Sequence, residues 1–147
     1  MLGYLTMPEK TREVLDADGY LFITGRLKSI IVTKGAKNIY PEEIENLLLQ
    51  SPLIAECVVI GKLDKEGGEY PHAILYPNAD AMKTMEAEAG KSFTDEEIRK
   101  IVRAEIQKST AGSAVYKIPH GFDVSKEELP KTSSSKVKRF LFAEAKR

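Results

Sequence analysis

The stretch LPKTSSSKVKR, residues 129–139, sets three serines between lysines at the edge of an apolar run. A helix that begins near Ser135 would carry Lys136 and Lys138 in its first turn, where the backbone dipole disfavours cations by about 0.3–1 kcal/mol each. Free backbone N–H groups, hydroxyls and lysines at one helix start can bind a phosphate or a carboxylate. The alternative is a solvated basic tail, which is the commoner meaning of a short Lys/Ser run that stands alone.

A second basic stretch, GRLKSIIVTKGAKNIYPEEIE, spans residues 25–45. Gly25 and Gly35 bracket a strand-like run, and glycine is typical of places where the chain turns or where another group approaches the backbone closely. Four cations belong to the same region: Arg26, Lys28, Lys34 and Lys37. The alternative is a hairpin with solvated lysines on its outer face.

The pattern of residues around the second stretch predicts strands followed by a helix. The runs YLFITGR (residues 20–26) and SIIVTKG (residues 29–35) predict a hairpin or two neighbouring strands, with regular structure starting at Tyr20. A helix is expected next, because Pro41 suits a first helical position and is followed by acidic residues and an apolar face. Ser51 and Pro52 should end this helix.

Three later segments predict strands and one is ambiguous. Residues 54–64 and 69–77 are apolar enough for core strands, joined by the turn KEGG. Residues 116–125 predict a final strand. Residues 78–92 are rich in Ala, Met and Glu without a clear apolar face, which predicts a peripheral loop or a short helix.

Two more helices complete the predicted fold. Thr94 and Glu97 form a capping box at the start of one of them. A short closing helix is expected to carry an apolar stripe of Val137, Phe140, Leu141 and Ala145. The predicted class is α/β (α+β): a small mixed β-sheet with an N-terminal β-hairpin, flanked by about three helices.

The length of 147 residues, with 42% hydrophobic and 30% charged residues, is typical of one globular domain. Lys+Arg and Asp+Glu both total 22, so no net charge attracts nucleic acid or an anionic membrane. The basic C-terminal stretch also lacks the interleaved aromatic residues of a nucleic-acid site. No nucleic-acid partner is therefore predicted.

Cysteine content and hydropathy argue against several further classes of protein. Cys57 is the only cysteine and lies in an apolar run, so it is interpreted as a buried hydrophobe, and neither a disulfide nor a metal site is predicted. No apolar stretch reaches membrane-spanning length, and the N-terminus lacks the pattern of a signal peptide. A cytoplasmic protein is expected, with peripheral contact to a membrane left open.

Together the two basic stretches resemble the two signature motifs of the small C-terminal domain, or lid, of the AMP-forming adenylating enzymes, the superfamily of acyl-CoA synthetases. The second family motif, Pro-Lys-Thr-x-x-Gly-Lys, is matched by Pro130, Lys131, Thr132 and Lys136, with Ser135 where glycine is usual. The first, Gly-Arg-x-Lys/Asp followed by a glycine and Ile-x-Pro-x-Glu-Ile-Glu, is matched by Gly25, Arg26, Lys28, Gly35, Ile39, Pro41, Glu43, Ile44 and Glu45.

The resemblance implies a two-step reaction. A carboxylate is joined to the α-phosphate of ATP with release of pyrophosphate, and the acyl group then passes from AMP to a thiol such as CoA. Lys136 would be the catalytic lysine that spans the carboxylate and the α-phosphate, which stabilises charge in the transition state. Between the steps the small domain rotates, and Lys28 matches the hinge position.

The resemblance also implies binding roles in the first motif. Gly35 matches the glycine that lets the pantetheine arm of CoA pass close to the backbone, and Lys37 is a weaker candidate for contact with a phosphate of CoA or AMP. Arg26 resembles the arginine that reaches the nucleotide. Structural roles are assigned to Pro41, Glu43 and Glu45, and His72 and His120 match no catalytic position.

Comparison with the family pattern defines the expected organisation. Residues 1–19 resemble the end of the large N-terminal domain, residues 20–147 resemble the lid, and a Thr-Gly-Asp segment with the ribose-binding aspartate is absent before Tyr20. No phosphate loop or acyl-binding domain is present, so the chain alone is expected to be inactive. Ser135 and the insertion at 78–92 favour long-chain fatty acyl-CoA synthetases.

The leading hypothesis is therefore a lid that works with fatty acid, ATP, Mg²⁺ and CoA, mostly bound by the large N-terminal domain of the same enzyme. The alternative is a stand-alone module that binds CoA, a nucleotide or a partner synthetase without catalysis. The acid, the thiol acceptor and the oligomeric state are not determined by these residues.

Overall fold

A computed structural model describes residues 12–15, 21–25 and 30–143, with side chains described from residue 30 to residue 142. Arg26, Lys28 and Ala145 lie outside the described residues. None of the described helices is long and apolar enough to cross a membrane. The described residues also contain no group of three or more His, Cys, Asp or Glu side chains that could hold a metal ion.

The N-terminal strands form two separate two-stranded sheets. Strand β1 (Arg12–Leu15) is antiparallel to β2 (Leu21–Gly25), with Leu15 opposite Leu21. Strand β3 (Ile31–Val32) is antiparallel to β4 (Asn38–Ile39), with Ile31 opposite Ile39.

This pairing corrects two predictions. Within the described residues the run at 20–26 does not pair with the run at 29–35, and regular structure is already present at Arg12–Leu15, before Tyr20. The reason is that β3 turns back at once through residues 33–37 and takes its partner from the two-residue strand β4. Strand β2 pairs instead with the short, charged segment REVL, which carries no strand pattern of its own.

Helix α1 (Pro41–Leu49) follows β4 directly, as predicted. Pro41 occupies its first turn, where the missing N–H costs nothing, and acidic residues there complement the helix dipole. Ile44 and Leu48 are buried, so the apolar face is the one that packs on the sheet.

The central sheet is three-stranded and mixed, in the order β5-β6-β7. Strands β5 (Ile54–Leu63) and β6 (Glu69–Pro77) are antiparallel, as the sequence predicted, and β7 (Gly121–Val124) is parallel to β6. The final strand is shorter than predicted, because residues 115–117 form a 3₁₀ turn and Pro119 has no N–H to donate to a ladder.

The sheet is covered on both faces, and this explains the unbroken apolar run in β5. Cys57 and Val59 point into the main core with Ala73 and Leu75 of β6. Their neighbours along the strand, Val58 and Ile60, point to the opposite face, as alternation requires. The main core also contains Ile31, Ile39, Ile44, Leu48, Ile54, Val102 and Ile106, and the second contains Leu129 with Ile74, Tyr76, Val137 and Phe142 packed against it.

Two helices follow β6. Residues 78–92, predicted as a loop or a short helix, contain α2 (Ala79–Ala89), with the Asn78 side chain as its N-cap and Gly90 at φ 69° as its C-cap. Helix α3 (Asp95–Ser109) begins with the predicted capping box of Thr94 and Glu97, and it buries Val102.

The closing helix α4 (Arg139–Ala143) starts later than predicted. Lys136 and Lys138 precede it, so neither lies in its first turn. The predicted apolar stripe is only partly correct: Val137 packs on the second core, but Phe140 and Leu141 are 60% and 46% exposed. The α/β class with a small mixed sheet is confirmed, and α2 brings the number of α-helices among the described residues to four.

Candidate active-site hairpins

Lys136 lies on a tight hairpin, residues 132–136, which we call the Lys136 hairpin. The N–H of Thr132 donates to the carbonyl of Lys136 (2.7 Å), and the N–H of Ser135 donates to the carbonyl of Thr132 (2.9 Å). The Thr132 hydroxyl accepts from the N–H of Lys136 (3.3 Å). An antiparallel bridge between Lys131 and Val137 closes the hairpin at its base. Lys136 is thus presented by a turn and not by a helix N-terminus.

Ser135 takes the left-handed conformation that this turn requires, with φ 62°. A type I turn followed by a left-handed residue is a common hairpin connection, and glycine adopts that last conformation without steric cost. This gives a physical reason for the glycine that is usual at this position of the motif. Serine fits the same turn at some cost in backbone strain.

The Lys136 side chain is exposed, and within residues 30–142 it has no hydrogen bond or ion pair. It lines an open groove of about 1040 Å³ that runs between the hairpin, α1 and the outer edge of β5. A cation without an internal partner at a projecting tip is free to bind an anion supplied from outside.

Glu56 holds the N-terminal end of this hairpin. Its carboxylate accepts from the N–H of Leu129 (2.7 Å) and pairs with the ammonium of Lys131. Glu56 is only 8% exposed, and a buried carboxylate requires hydrogen-bonding partners of this kind. Conversely, the hydrogen bond to Glu56 raises the pKa of Lys131.

Arg139 holds the C-terminal end. Its guanidinium donates to Glu42 Oε1 (2.9 Å) and, through Nη2, to both carboxylate oxygens of Glu45 (2.6 and 2.7 Å). Glu45 also accepts from the N–H of Val59 in the core strand β5 (2.8 Å). Burial raises the pKa of Glu45, and the neighbouring Arg139 guanidinium opposes that shift.

Gly35 and Lys37 lie on a second tight hairpin, residues 33–37, the Lys37 hairpin. The N–H of Thr33 donates to the carbonyl of Lys37 (3.0 Å), and the N–H of Ala36 donates to the carbonyl of Thr33 (2.9 Å). The Thr33 hydroxyl accepts from the N–H of Lys37 (3.1 Å), and Ala36 has φ 57°. These bonds repeat those of the Lys136 hairpin residue for residue.

Gly35 is not the residue that needs a left-handed conformation, because that position belongs to Ala36. A Cβ added to Gly35 would meet only Thr33 Oγ1, at 4.0 Å, among the described atoms. Neither the turn nor the packing of the described residues therefore explains a glycine here.

Lys37 is exposed, and its ammonium lies 5.9 Å from the centre of the Tyr116 ring. The neighbouring Val115 is 80% exposed and Tyr116 37%. Lys117 pairs with Glu43 in the first turn of α1 (2.7 Å), which fixes this segment beside the start of α1. The surface around Lys37 is therefore partly aromatic and open to solvent.

The structure brings some predicted residues together and separates others. Gly35 and Lys37 share one hairpin, whereas Lys136 lies on the other, and the groove lined by Lys136 includes neither Gly35 nor Lys37. The predictions for Arg26 and Lys28 fall outside the described residues. Cys57 is buried, as predicted, and burial raises the pKa of its thiol, which disfavours a reactive thiolate.

Sequence reasoning missed Glu56 and Arg139. Glu56 carries one usable signal, a lone carboxylate in the apolar run IAECVVIG, because a buried charge needs a partner. Arg139 belongs to a basic run, and the sequence does not distinguish it from the neighbouring Lys138. Neither pattern predicts which residue is the ion-pair partner.

Comparison with known proteins agrees with the motifs. The sequence-family model of the AMP-binding enzyme C-terminal domain matches residues 43–136, which is more than half of the chain. Indoleacetate–CoA ligase of Aromatoleum aromaticum is 36% identical over 124 residues, covering 84% of the chain and 21% of the ligase. A feruloyl-CoA synthase from a Streptomyces species is 33% identical over 150 residues, covering 93% of the chain and 27% of the synthase.

Solved structures give the same result. The o-succinylbenzoate CoA synthetase of Bacillus subtilis, in complex with its acyl-adenylate intermediate, has a TM-score of 0.67 and 30% identity, over 90% of this chain and 23% of that one. A fatty acyl CoA synthetase of Mycobacterium tuberculosis has a TM-score of 0.61 and 26% identity, over 92% and 23%. The chain spans about a fifth to a quarter of the length of these relatives. It belongs to the AMP-binding enzyme C-terminal domain family.

Proposed function

We propose that this chain is the lid of an AMP-forming acyl-CoA ligase and that Lys136 supplies the cation of the adenylation step. The observation that supports this most directly is the exposed Lys136 side chain, which has no partner within residues 30–142 and projects from a tight, hydrogen-bonded turn. In the proposed step a carboxylate oxygen attacks the α-phosphorus of ATP, and the bond to the bridging oxygen of the β-phosphate breaks. Pyrophosphate leaves with that electron pair.

Two anions must approach each other in this step, and that is the role proposed for Lys136. Its ammonium would donate to the carboxylate and to an α-phosphate oxygen at once, which lowers their repulsion and offsets charge that develops at phosphorus. Mg²⁺ is proposed to enter with ATP and to be bound mainly by the large N-terminal domain. The isolated chain is therefore expected to be inactive.

The Lys37 hairpin is proposed to serve the second half-reaction. Gly35 has open space where a side chain would stand, which suits the close passage of the pantetheine arm of CoA. Lys37 and its exposed surroundings suit a phosphate of CoA. Because the groove at Lys136 does not include the Lys37 hairpin, the two half-reactions would use different parts of the lid, presented in turn by rotation.

Arg26 and Lys28 complete the proposal. Arg26 would reach the nucleotide phosphates with its forked donors, and Lys28 would be the hinge residue whose backbone dihedral angles change during rotation. Both assignments rest on the motif alone. The hinge role predicts that Lys28→Pro, which fixes φ, impairs the passage between half-reactions more than either half-reaction alone.

A fatty acid is proposed as the acyl substrate, on the basis of Ser135 and the segment 78–92. The relatives' names include indoleacetate, ferulate, o-succinylbenzoate and fatty acyl substrates. Acid selection would be made by the large domain. Pyrophosphate release by the whole ligase, compared across fatty acids and aryl acids, tests the substrate class directly.

The role of Lys136 is tested by separating the half-reactions in the ligase that carries this domain. Lys136→Ala should lower acid-dependent ATP–pyrophosphate exchange by about 10²–10³-fold, the range for loss of one transition-state donor. Thioester formation from supplied acyl-adenylate and CoA should stay within about threefold, since the proposed role is complete by then. Lys138→Ala, which removes the next lysine along the chain, is the matched control. Equal loss of both half-reactions in Lys136→Ala would contradict the assignment.

A further inference from the structure

The Lys136 hairpin is held at its base and is otherwise free. The side chains of residues 133–136 are exposed, and the interactions found for them within residues 30–142 are those inside the hairpin itself. The rest of the described fold therefore holds the hairpin only through the residues that precede the turn and the residues that follow it. The position of the Lys136 ammonium depends on how well those two sides are fixed.

On the N-terminal side the fixed point is Glu56. It lies in β5 opposite Tyr76, and the register of the β5–β6 ladder shifts between Ile54 and Glu56. Glu56 lies on the same face of β5 as Val58 and Ile60, and its carboxylate therefore faces Leu129 and the segment that enters the hairpin. It accepts from the N–H of Leu129 and pairs with Lys131, so it binds that segment through both backbone and side chain.

On the C-terminal side the fixed point is the guanidinium of Arg139. Its forked donors engage Glu42 and Glu45 together, a planar arrangement that lysine cannot reproduce. Glu45 is held in turn by the N–H of Val59. Arg139 is therefore joined to α1 and, through Glu45, to the core strand β5.

We propose that Glu56 and the Arg139–Glu45 ion pair are positioning residues for Lys136, one at each end of its hairpin. This rests on the proposed role of Lys136 in adenylation. They touch neither substrate nor reacting atoms and act by fixing where the Lys136 ammonium stands. Loss of either would let the tip move by an ångström or more, and displacement of that size costs up to about 10²-fold in rate.

The test uses the ligase that carries this domain and four variants. Glu56→Ala and Arg139→Ala should each lower kcat for ATP–pyrophosphate exchange by about 10–100-fold, with KM for ATP and thioester formation within about threefold. Arg139→Lys keeps the charge but not the fork, and it should recover part of the lost rate. Glu66→Ala, which removes the ion pair with Lys34 on the other hairpin, is the matched control and should leave adenylation unchanged.

Hydrogen exchange gives a readout that does not depend on activity. The amides of Thr132 and Lys138, which bond to Lys136 and Pro130, should exchange at least about tenfold faster in Glu56→Ala and Arg139→Ala. The amides of Thr33 and Lys37, bonded in the same way in the other hairpin, should not change. If the two residues had a merely structural role, their loss would accelerate exchange in both hairpins. It would also lower the melting temperature of the protein and the rates of both half-reactions.

The outcomes separate this inference from the function on which it rests. If Lys136→Ala loses adenylation while Glu56→Ala and Arg139→Ala keep it, the positioning roles are wrong and the proposed function stands. If both half-reactions and both hairpins fail together in these two variants, the residues are structural and the inference is again wrong. If Lys136→Ala keeps adenylation, the proposed function fails first and the positioning roles fail with it.

Discussion

The Lys37 and Lys136 hairpins have the same backbone but different attachments. Each begins with a threonine whose carbonyl, N–H and hydroxyl all bond within the turn, each has a left-handed fourth residue, and each ends in an exposed lysine. In the Lys37 hairpin, however, the tip itself is docked. Lys34 pairs with Glu66, and the backbone of Lys34 lies so close to Gly68 that a Cβ there would stand 2.8 Å from the Lys34 nitrogen.

In the Lys136 hairpin, the attachments found among residues 30–142 are at the base, through Glu56 and Arg139. A docked tip keeps the backbone surface at Gly35 in a fixed place, which suits a group that passes along it. Under the proposed function, a free tip on a fixed base would let the Lys136 side chain reach into a site built by another part of the enzyme. One turn type can thus serve two tasks, and the contacts around it decide which.

The largest contrast between the hairpins is expected from their terminal lysines. In the whole ligase, Lys37→Ala should raise KM for CoA about tenfold in thioester formation, as expected for loss of one charge-assisted hydrogen bond. It should leave ATP–pyrophosphate exchange unchanged, opposite to the effect proposed for Lys136→Ala. Half-reaction kinetics on both variants measure this crossover. Equal effects of both substitutions on both steps would remove the functional distinction.

The second largest contrast is expected in the unfolding free energy that is lost when a core residue beside each hairpin is truncated. Ile39 follows the Lys37 hairpin, is fully buried and belongs to the main core, so Ile39→Ala should cost about 2–5 kcal/mol of unfolding free energy. Leu129 precedes the Lys136 hairpin in the smaller second core, and Leu129→Ala should fall at about the lower end of that range. Urea denaturation followed by circular dichroism measures both. A larger cost for Leu129→Ala would reverse the expected order.

Substitutions at the two residues with left-handed backbone conformation test whether the two turns have the same geometry. Glycine relieves the steric cost at positive φ but loses more backbone entropy on folding, so Ala36→Gly and Ser135→Gly should each stabilise the fold by about 0.5–1 kcal/mol. Similar gains at the two sites would support one shared turn geometry. Destabilisation at either site, measured by the shift of the urea midpoint, would show that this turn is not strained as described.

The smallest effect is expected in the pH dependence of the stability contributed by the Glu56–Lys131 pair at the foot of the Lys136 hairpin. Glu56 raises the pKa of Lys131 above its usual value of 10.5, so the stability from this pair is complete below that pH and is lost as the pH rises through the folded pKa. The difference in unfolding free energy between the natural chain and Lys131→Met should therefore shrink above about pH 10.5. Lys34→Met is the matched control for an exposed pair and should show little difference throughout. A constant difference for Lys131→Met would contradict the assigned partner.

Local patterns predicted several elements well. The capping box of Thr94, the proline at the start of α1 and the paired strands β5 and β6 were all correct, because the interactions that form them join residues close in the sequence. The same reasoning failed at the N-terminal strands, where β2 pairs with a segment that has no strand pattern, and at the start of α4. The polar turn at residues 132–136 closes on itself, so the helix begins only after it.

By itself, the sequence determined the family, the motif residues and those helices and strands that local patterns specify. Only the tertiary structure decided that Lys136 stands on a turn with a free tip and that Glu56 and Arg139 hold its ends. The reason is distance along the chain: Glu56 meets Leu129 from 73 residues away, and Arg139 meets Glu45 from 94. A buried carboxylate predicts that a partner exists, but only the folded chain determines which residue it is.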